Sequence, residues 1–264
     1  MNETYGEREG NYLMKYFTKE WYELCQKTSF HLPLEEEIQA ETFSEAYFQQ
    51  LYSTELNKWL HLQEEVASIM HANGTNEPFN KDKETKQFHE SIIYNQEFLK
   101  KSLPETILNQ IADLRVFALN QATRDVINAI TQFCEDNKRS VDTTIDKYRK
   151  YHTEASLSMD REIVENFRFH DCIIVKSFLN DKSVTLLLDN TGGFTDINEV
   201  IFENVTIIKQ DAGLENSWWL YEEVYKVNDR YEFHVLLQKQ DMGLIDFIIS
   251  AERALFRRLG SDVG

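Results

Sequence analysis

Glycine and proline, the residues that most often interrupt regular structure, are scarce in this sequence. Its 264 residues include nine glycines and three prolines, and no glycine lies between Gly74 and Gly192. Their absence over so long a region favours helices there. No stretch contains the roughly 20 consecutive apolar residues that a membrane-spanning helix needs, so we expect a protein that does not cross a membrane.

Cysteine is also rare. The three cysteines, Cys25, Cys134 and Cys172, are widely spaced and odd in number, and no Cys-x-x-Cys pair occurs. This pattern fits neither a disulfide framework nor a zinc or redox motif, and it predicts free thiols in a reducing compartment. Residues 1–11 lack the apolar run of a secretory signal peptide, so the sequence predicts a cytoplasmic protein.

Basic side chains are fewer than acidic ones. Against 45 aspartates and glutamates there are 28 lysines and arginines, which gives a formal net charge of −17. Such a charge repels phosphate backbones and anionic lipid headgroups, so neither nucleic acid nor a membrane is expected as partner. The content of 42% hydrophobic and 28% charged residues is that of an ordinary folded, soluble chain.

The apolar residues of the N-terminal part recur at helical spacing. The longest predicted helix starts at Pro104, which suits the first turn of a helix, and keeps one apolar face as far as Phe133. We expect it to break near residues 137–140 and to resume at 148–155. Other helices are predicted at residues 16–27 with Thr18 as N-cap, at 34–71 as one helix or two, and at 84–101 after a surface loop at 72–83.

The C-terminal part has a different period. Runs of β-branched and aromatic residues alternate there with turn-forming residues, which is typical of an antiparallel sheet. Ser250 is a candidate N-cap for a short closing helix that extends to Leu259. Strands are predicted at residues 172–178, 184–188, 200–209, 217–227, 231–238 and 244–249.

The predicted fold class is therefore α+β, in which helices precede a predominantly antiparallel sheet and a short helix ends the chain. The helical domain is assigned to residues 14–158 and the β domain to residues 159–264. Residues 1–13 are expected to be a disordered extension. The sequence contains no internal repeat and no low-complexity segment.

The most informative local pattern is a β-hairpin at residues 217–238, closed by a two-residue turn at Asn228-Asp229. Because side chains alternate between the faces of a strand, such a turn determines which residues lie opposite each other. The predicted cross-strand pairs are Val227–Arg230, Tyr225–Glu232, Glu223–His234 and Tyr221–Leu236.

One face of this hairpin is predicted to be core and the other to be open to solvent. The core face, apolar except for Glu222, consists of Trp218, Leu220, Val224, Tyr231, Phe233, Val235 and Leu237. The open face mixes aromatic rings with paired charges, so it is a candidate binding surface. Its binding residues are Trp219, Tyr221, Glu223, Tyr225, Glu232 and His234, and Arg230 lies on the same face. Two alternatives stay open: a half-exposed sheet stabilised by cross-strand pairs, and a catalytic or metal site at Glu223 and His234.

Arg115 is a further candidate binding residue. Its neighbours on the long predicted helix are apolar: Ile111, Ala112, Ala118 and Leu119. A guanidinium that emerges through such a surface needs a partner, either in a buried ion pair or in another subunit or domain. Asp113 lies two residues away on the predicted helix and should point elsewhere.

Motifs of common catalytic and cofactor sites are missing. No histidine follows a glutamate at the Glu-x-x-His spacing of carboxylate-bridged di-iron helices, and no P-loop, dinucleotide fingerprint or Gly-x-Ser-x-Gly elbow occurs. We therefore predict no catalytic residue, no cofactor and no metal ion. His170-Asp171 resembles the histidine-aspartate dyad of metal-dependent phosphohydrolases, although it precedes a predicted strand and lacks the flanking helical histidines.

Four segments carry a resemblance to a known family: MKYFTKEWY at 14–22, IADLRVFAL at 111–119, WWLYEE at 218–223 and YEFHVLL at 231–237. They are similar to an uncharacterised bacterial family, a domain of unknown function, from Gram-positive, Bacillus-like organisms. The resemblance spans most of the chain after Met14. It implies a bacterial cytoplasm, and it implies no activity, catalytic residue or cofactor.

The sequence thus favours a non-catalytic cytoplasmic interaction module. Its partner, a protein or a small basic molecule, would bind the open hairpin face, and the oligomeric state is left open. The alternative is a metal-dependent hydrolase whose site gathers His170, Asp171, Glu223, Glu232 and His234 at one edge of the sheet.

Overall fold

The computed structural model describes residues 14–72, 74, 78–180 and 182–258. The predicted disordered extension, residues 1–13, lies outside the described residues. The fold class is α+β, as predicted: helices occupy the N-terminal half, and an antiparallel sheet of eight strands forms the C-terminal part. No helix within the described residues is both long enough and apolar enough to span a membrane.

The helices are α1 (Lys19–Cys25), α2 (Glu45–Ala72), α3 (Lys81–Ser102), α4 (Glu105–Leu108), α5 (Leu114–Phe117), α6 (Arg124–Ser156) and α7 (Arg161–Asn166), with a 3-10 helix at Ile38–Glu41. The strands are β1 (Glu35–Glu36), β2 (Gln121–Ala122), β3 (Ile173–Asn180), β4 (Ser183–Asp189), β5 (Glu199–Glu203), β6 (Thr206–Gln210), β7 (Ser217–Val227), β8 (Arg230–Gln238), β9 (Leu244–Ala251) and β10 (Arg253–Arg257). Strands β1 and β2 form a separate parallel pair.

The chain forms two compact units. The first unit combines the described residues up to Cys25 with those from Ser140 onward, and the second unit is Gln26–Arg139. Helix α6 contributes its first part to the second unit and its last part to the first. The domain boundary between residues 158 and 159 stays a prediction.

The long helix predicted from Pro104 to Phe133 is wrong. The chain instead forms the short helices α4 and α5, the short strand β2 and the beginning of α6. Asp113 caps α5 from an extended conformation, and Asn120 adopts a left-handed φ of 66°, so a helix cannot continue through either residue. Helix α6, by contrast, runs without interruption through the predicted break at residues 137–140.

The other helices follow the apolar spacing more closely. The Oγ1 atom of Thr18 accepts a 3.2 Å hydrogen bond from the backbone N–H of Trp21, which confirms Thr18 as the cap of α1. Helices α2 and α3 form where helices were predicted, and Leu51 of α2 packs with Phe88 and Ile92 of α3. A second apolar cluster joins α3, α4 and the beginning of α6 and includes Leu99, Leu103, Ile107, Val126 and Ile130.

The eight-stranded sheet has the order β10-β5-β4-β3-β7-β8-β9-β6. Asn204, with a φ of 51°, separates β5 from β6, so the single strand predicted at residues 200–209 is two strands. Strand β5 pairs with β10, and β6 pairs with β9. The sheet therefore curls around a large apolar core, in which Phe169, Phe202, Phe233 and Phe247 are fully buried.

The predicted C-terminal helix that begins at Ser250 is wrong. Ser250 belongs to β9, and the next residues form β10, which pairs antiparallel with β5. Ala254 is buried while Arg253 and Arg257 are exposed, as in a strand with one face on the core. Leu259, the predicted end of this helix, lies outside the described residues.

Candidate functional site

The hairpin of β7 and β8 has the predicted register. Val227 pairs with Arg230, and Glu223 pairs with His234; the Tyr225–Glu232 and Tyr221–Leu236 pairs are also formed. Asn228 provides the left-handed backbone that a two-residue turn requires, with a φ of 56°. Turn chemistry alone was therefore sufficient to align the two strands from Tyr221 onward.

The predicted faces are wrong before Tyr221, because a β-bulge shifts the register between Trp219 and Tyr221. The extra residue in β7 reverses the alternation of the side chains that precede it. Trp219, expected on the open face, is 0% exposed in the large core, whereas Trp218, expected in the core, is 37% exposed. Leu220 likewise packs on the face opposite to the predicted one.

Tyr221 and Glu223, in the middle of the predicted open face, are covered by other residues of the first unit. Met14, Phe17 and Trp21 pack against Leu220 and Leu236 of the hairpin. The ring of Tyr221 lies between aromatic neighbours, 5.2 Å from the Phe17 ring and 4.9 Å from the Trp21 ring, measured between centroids. The expectation of an open binding face is therefore wrong: these aromatic side chains form a second small core.

Glu223 is the polar centre of this cluster and is fully buried. Its carboxylate accepts backbone hydrogen bonds from Lys15 at 2.8 Å, Tyr16 at 2.7 Å and Phe17 at 2.6 Å, together with one from the hydroxyl of Tyr225. Burial and the charge of Glu223 raise the pKa of Tyr225, so its hydroxyl remains a donor. Glu223 thus anchors the chain segment that leads into α1.

His234 and Glu232 extend the same cluster. The Nε2 atom of His234 lies 3.2 Å from the Oε2 atom of Glu232, and its ring centroid lies 5.0 Å from that of Tyr225. His234 is buried, and its Nδ1 atom has no hydrogen-bond partner within the described residues. Tyr151 of α6 covers Tyr225, and burial raises the pKa of Tyr151 to about 12.

Glu222 lies on the opposite face, among the residues of the large core. Its Oε2 atom accepts a 2.6 Å hydrogen bond from the indole Nε1–H of Trp219. Burial raises the pKa of this carboxyl to about 7, although the hydrogen bond from Trp219 opposes the shift. In the sequence, Glu222 stands out only as the one charged residue on a predicted apolar face. That exception was the sole indication of a buried carboxyl.

His170 and Asp171 do not complete a metal site. The Nδ1–H of His170 donates to the carbonyl oxygen of Leu220, and its Nε2 atom lies 3.6 Å from the Oδ1 atom of Asp171. Across the described ranges, no group of three or more histidine, cysteine, aspartate or glutamate side chains is arranged to hold a metal ion. The metal-dependent hydrolase therefore stays a hypothesis that no observation favours.

Arg115 lies in the second unit, where its guanidinium bonds to the carboxylates of Asp113 at 2.7 Å and Glu45 at 2.9 Å. It also lies over the ring of Phe48, 4.1 Å from the centroid. The expectation that Asp113 points elsewhere is wrong, because Asp113 precedes α5 as its N-cap and is not part of a helix. Arg115 thus has an ion-pair partner within its own unit.

The last turns of α2 expose four large apolar side chains, which we name the α2 stripe: Leu62, Val66, Ile69 and Met70. Their exposed fractions lie between 39% and 62%. The spacing of four, seven and eight residues from Leu62 places them on one face of the helix. Val66 and Met70 belong to the helical periodicity in the sequence, but Leu60, the last buried residue of α2, precedes the whole stripe. The signal in the sequence was that the helical spacing of apolar residues continues beyond the part of α2 that packs in the core.

Comparison with protein families matches residues 75–249 to a protein of unknown function, DUF4085. The chain belongs to the DUF4085 family. The resemblance to a family of unknown function is thereby confirmed. The DUF4085 match contains the hairpin, Arg115 and Glu222, and it excludes α1 and the α2 stripe. Comparison with curated proteins finds no match, and comparison with solved structures finds none.

Proposed function

We propose that this protein is a non-catalytic interaction module and that its contact surface is the α2 stripe. The observation that carries the proposal is the exposure of Leu62, Val66, Ile69 and Met70 on one face of a single helix. Contiguous apolar side chains at this spacing are typical of a helix that packs against another helix or in a groove. The hairpin face predicted from the sequence is covered and offers no such surface.

The partner that fits the stripe is an amphipathic helix with basic flanks. Glu65 lies beside the stripe, one turn from both Leu62 and Ile69, and it is exposed. The net charge of −17 attracts a cationic partner and repels a second copy of the same chain. Charge therefore favours a basic protein segment over self-association.

The proposed compartment is the bacterial cytoplasm. Cys134 and Cys172 are free thiols and are buried, which suits a reducing environment. Burial raises the pKa of the Cys25 and Cys172 thiols to about 11, so neither has the thiolate character of a reactive cysteine. This supports a binding role over thiol catalysis.

Binding of a designed peptide to the full chain tests the proposal. The probe is a synthetic amphipathic helix with leucine on one face and lysine on the other, and its control is a peptide of the same composition in scrambled order. We expect calorimetry to show saturable binding that weakens with added salt. Ile69→Ser should weaken binding roughly tenfold, because burying such a side chain contributes about 1.5 kcal/mol or more.

The matched control is Leu179→Ser, which removes an equally exposed apolar residue from β3. It should leave peptide affinity unchanged. Equal affinity for the ordered and scrambled peptides would overturn the proposal. An equal loss of peptide affinity in Ile69→Ser and Leu179→Ser would also overturn it. Self-association that depends on Ile69, measured by sedimentation, would replace the basic helix with a second copy as the occupant.

A further inference from the structure

An apolar groove of about 430 Å³ lies on the second unit, between α3, α5 and the chain before β1. We name it the Phe98 groove, and its principal lining residues are Phe30, Leu32, Asn95, Phe98, Phe117 and Asn120. Its volume lies within the range of about 300 to 1,000 Å³ that small-molecule sites occupy. It shares no residue with the α2 stripe.

The groove residue Phe98 contacts two aromatic rings, Phe30 within the lining and Tyr94 outside it. The ring planes of Tyr94 and Phe98, one helical turn apart on α3, are parallel within 4°, and their centroids are 6.4 Å apart. Phe30 meets Phe98 edge-on, with the centroids 5.8 Å apart and the planes at 80°. Phe98 is 37% exposed, so its ring has surface left for a flat ligand.

The polar groups of the groove are neutral. Asn95 and Asn120 contribute side-chain amides to the lining, and none of the described lining residues carries a charge. The left-handed backbone of Asn120 ends the turn after α5, and its carbonyl oxygen accepts a hydrogen bond from the backbone N–H of Glu35, which holds the main chain of Asn120 in place. An apolar lining with a few polar groups is the usual composition of a small-molecule site.

We infer that the Phe98 groove binds a flat, uncharged aromatic molecule, whose ring stacks on Phe98 while a polar atom reaches Asn95 or Asn120. A charged group on the ligand would have no partner among the uncharged lining residues, and burying an unpaired charge is unfavourable. An anion is further disfavoured by the net charge of −17. This inference is independent of the proposed protein-interaction function.

Indole, titrated into the isotope-labelled full chain and followed by NMR, tests the inference. We expect saturable shifts of the Asn95, Phe98 and Asn120 amides. Phe98→Ala should weaken indole binding about tenfold, a loss of about 1.4 kcal/mol. Ile93→Ala is the matched control, since Ile93 is exposed on the same helix and lies outside the lining; its affinity should equal that of the wild type.

Tryptamine and indole-3-acetate, the cationic and anionic analogues, test the charge preference, and both should bind more weakly than indole. Tighter binding of tryptamine would overturn the assignment of an uncharged ligand. The absence of saturable indole binding would overturn the site itself. A loss of indole affinity in Ile93→Ala equal to that in Phe98→Ala would do the same. If Phe98→Ala unfolds, Phe98→Leu keeps the apolar volume and removes the ring, so it should still weaken binding.

Discussion

The backbone N–H of Phe17 donates a 2.6 Å hydrogen bond to the Oε1 atom of Glu223, although 206 residues separate the two in sequence. Lys15 and Tyr16 donate to the same carboxylate. Hydrogen bonds to an ionised acceptor are about twice as strong as neutral ones, and buried N–H groups without a partner are costly. Glu223 therefore determines the path of the chain before α1.

We expect Glu223→Gln to destabilise the protein by about 3 kcal/mol, because the amide lacks the charge and presents its own N–H₂ to N–H donors. Urea unfolding followed by circular dichroism measures the change. Hydrogen exchange at the amides of Lys15, Tyr16 and Phe17 should accelerate more than exchange in β8. A loss below about 1 kcal/mol would contradict the anchoring role.

Glu232→Gln is the matched control for this prediction. Glu232 lies on the same face of the hairpin, and its carboxylate bonds to the ring of His234 and not to the chain before α1. We expect its substitution to leave hydrogen exchange at residues 15–17 unchanged. Acceleration as large as that in Glu223→Gln would mean that the charge of the whole face, not the bonds to Glu223, holds the segment.

The sequence predicted the hairpin register because the determining interactions are local. Asn228 and Asp229 set the turn, and the alternation of the strands then follows for residues 221–238. The covering of this face could not be predicted in the same way. Phe17 and Trp21 reach the hairpin only through tertiary folding, and their own sequence context specifies no more than a capped helix.

The predicted hairpin faces and the predicted helix from Pro104 to Phe133 were wrong for the same physical reason. In both, the backbone interrupts the regular spacing of side chains that the sequence pattern implies. The bulge at Leu220 adds one residue to β7, and no glycine or proline marks it in the sequence. The apolar spacing from Pro104 to Phe133 fits one helical face, but the turns around Asp113 and Asn120 bring the same residues into the same cluster. Periodicity identified the core residues and not the backbone that connects them.

Trp218 and Trp219 provide a direct test of the bulge. Trp219 is fully buried and Trp218 is partly exposed, although the two residues are adjacent in β7. We expect Trp219→Ala to cost about 3 to 5 kcal/mol, as for other buried aromatic residues. Trp218→Ala should cost about 1 kcal/mol or less.

Thermal and urea unfolding of both variants measures these costs. The two substitutions remove the same side chain from the same strand, so their difference reports burial and not β-propensity. A larger cost for Trp218→Ala than for Trp219→Ala would place the bulge elsewhere and restore regular alternation through residue 218.

The contact between Glu222 and Trp219 should make stability depend on pH. Burial raises the pKa of Glu222 to about 7 in the folded protein, against an ordinary value of 4.5. The folded state therefore holds this proton more tightly than the unfolded state does. Its contribution to stability is fully present below pH 4.5, decreases as the pH rises toward 7 and is lost above that, with a total loss of at most about 3 kcal/mol.

Glu222→Gln removes this titration and keeps an acceptor for the Trp219 indole. The free energy of unfolding of the wild type, measured relative to that of Glu222→Gln, should fall between pH 4.5 and 7.5. Other carboxyls, such as Asp211, whose pKa is lowered, contribute equally to both proteins and cancel. Tryptophan fluorescence should change near pH 7 in the wild type and remain constant in Glu222→Gln and Trp219→Phe. Parallel stability curves for the wild type and Glu222→Gln across this range would mean that Glu222 is ionised throughout and solvated.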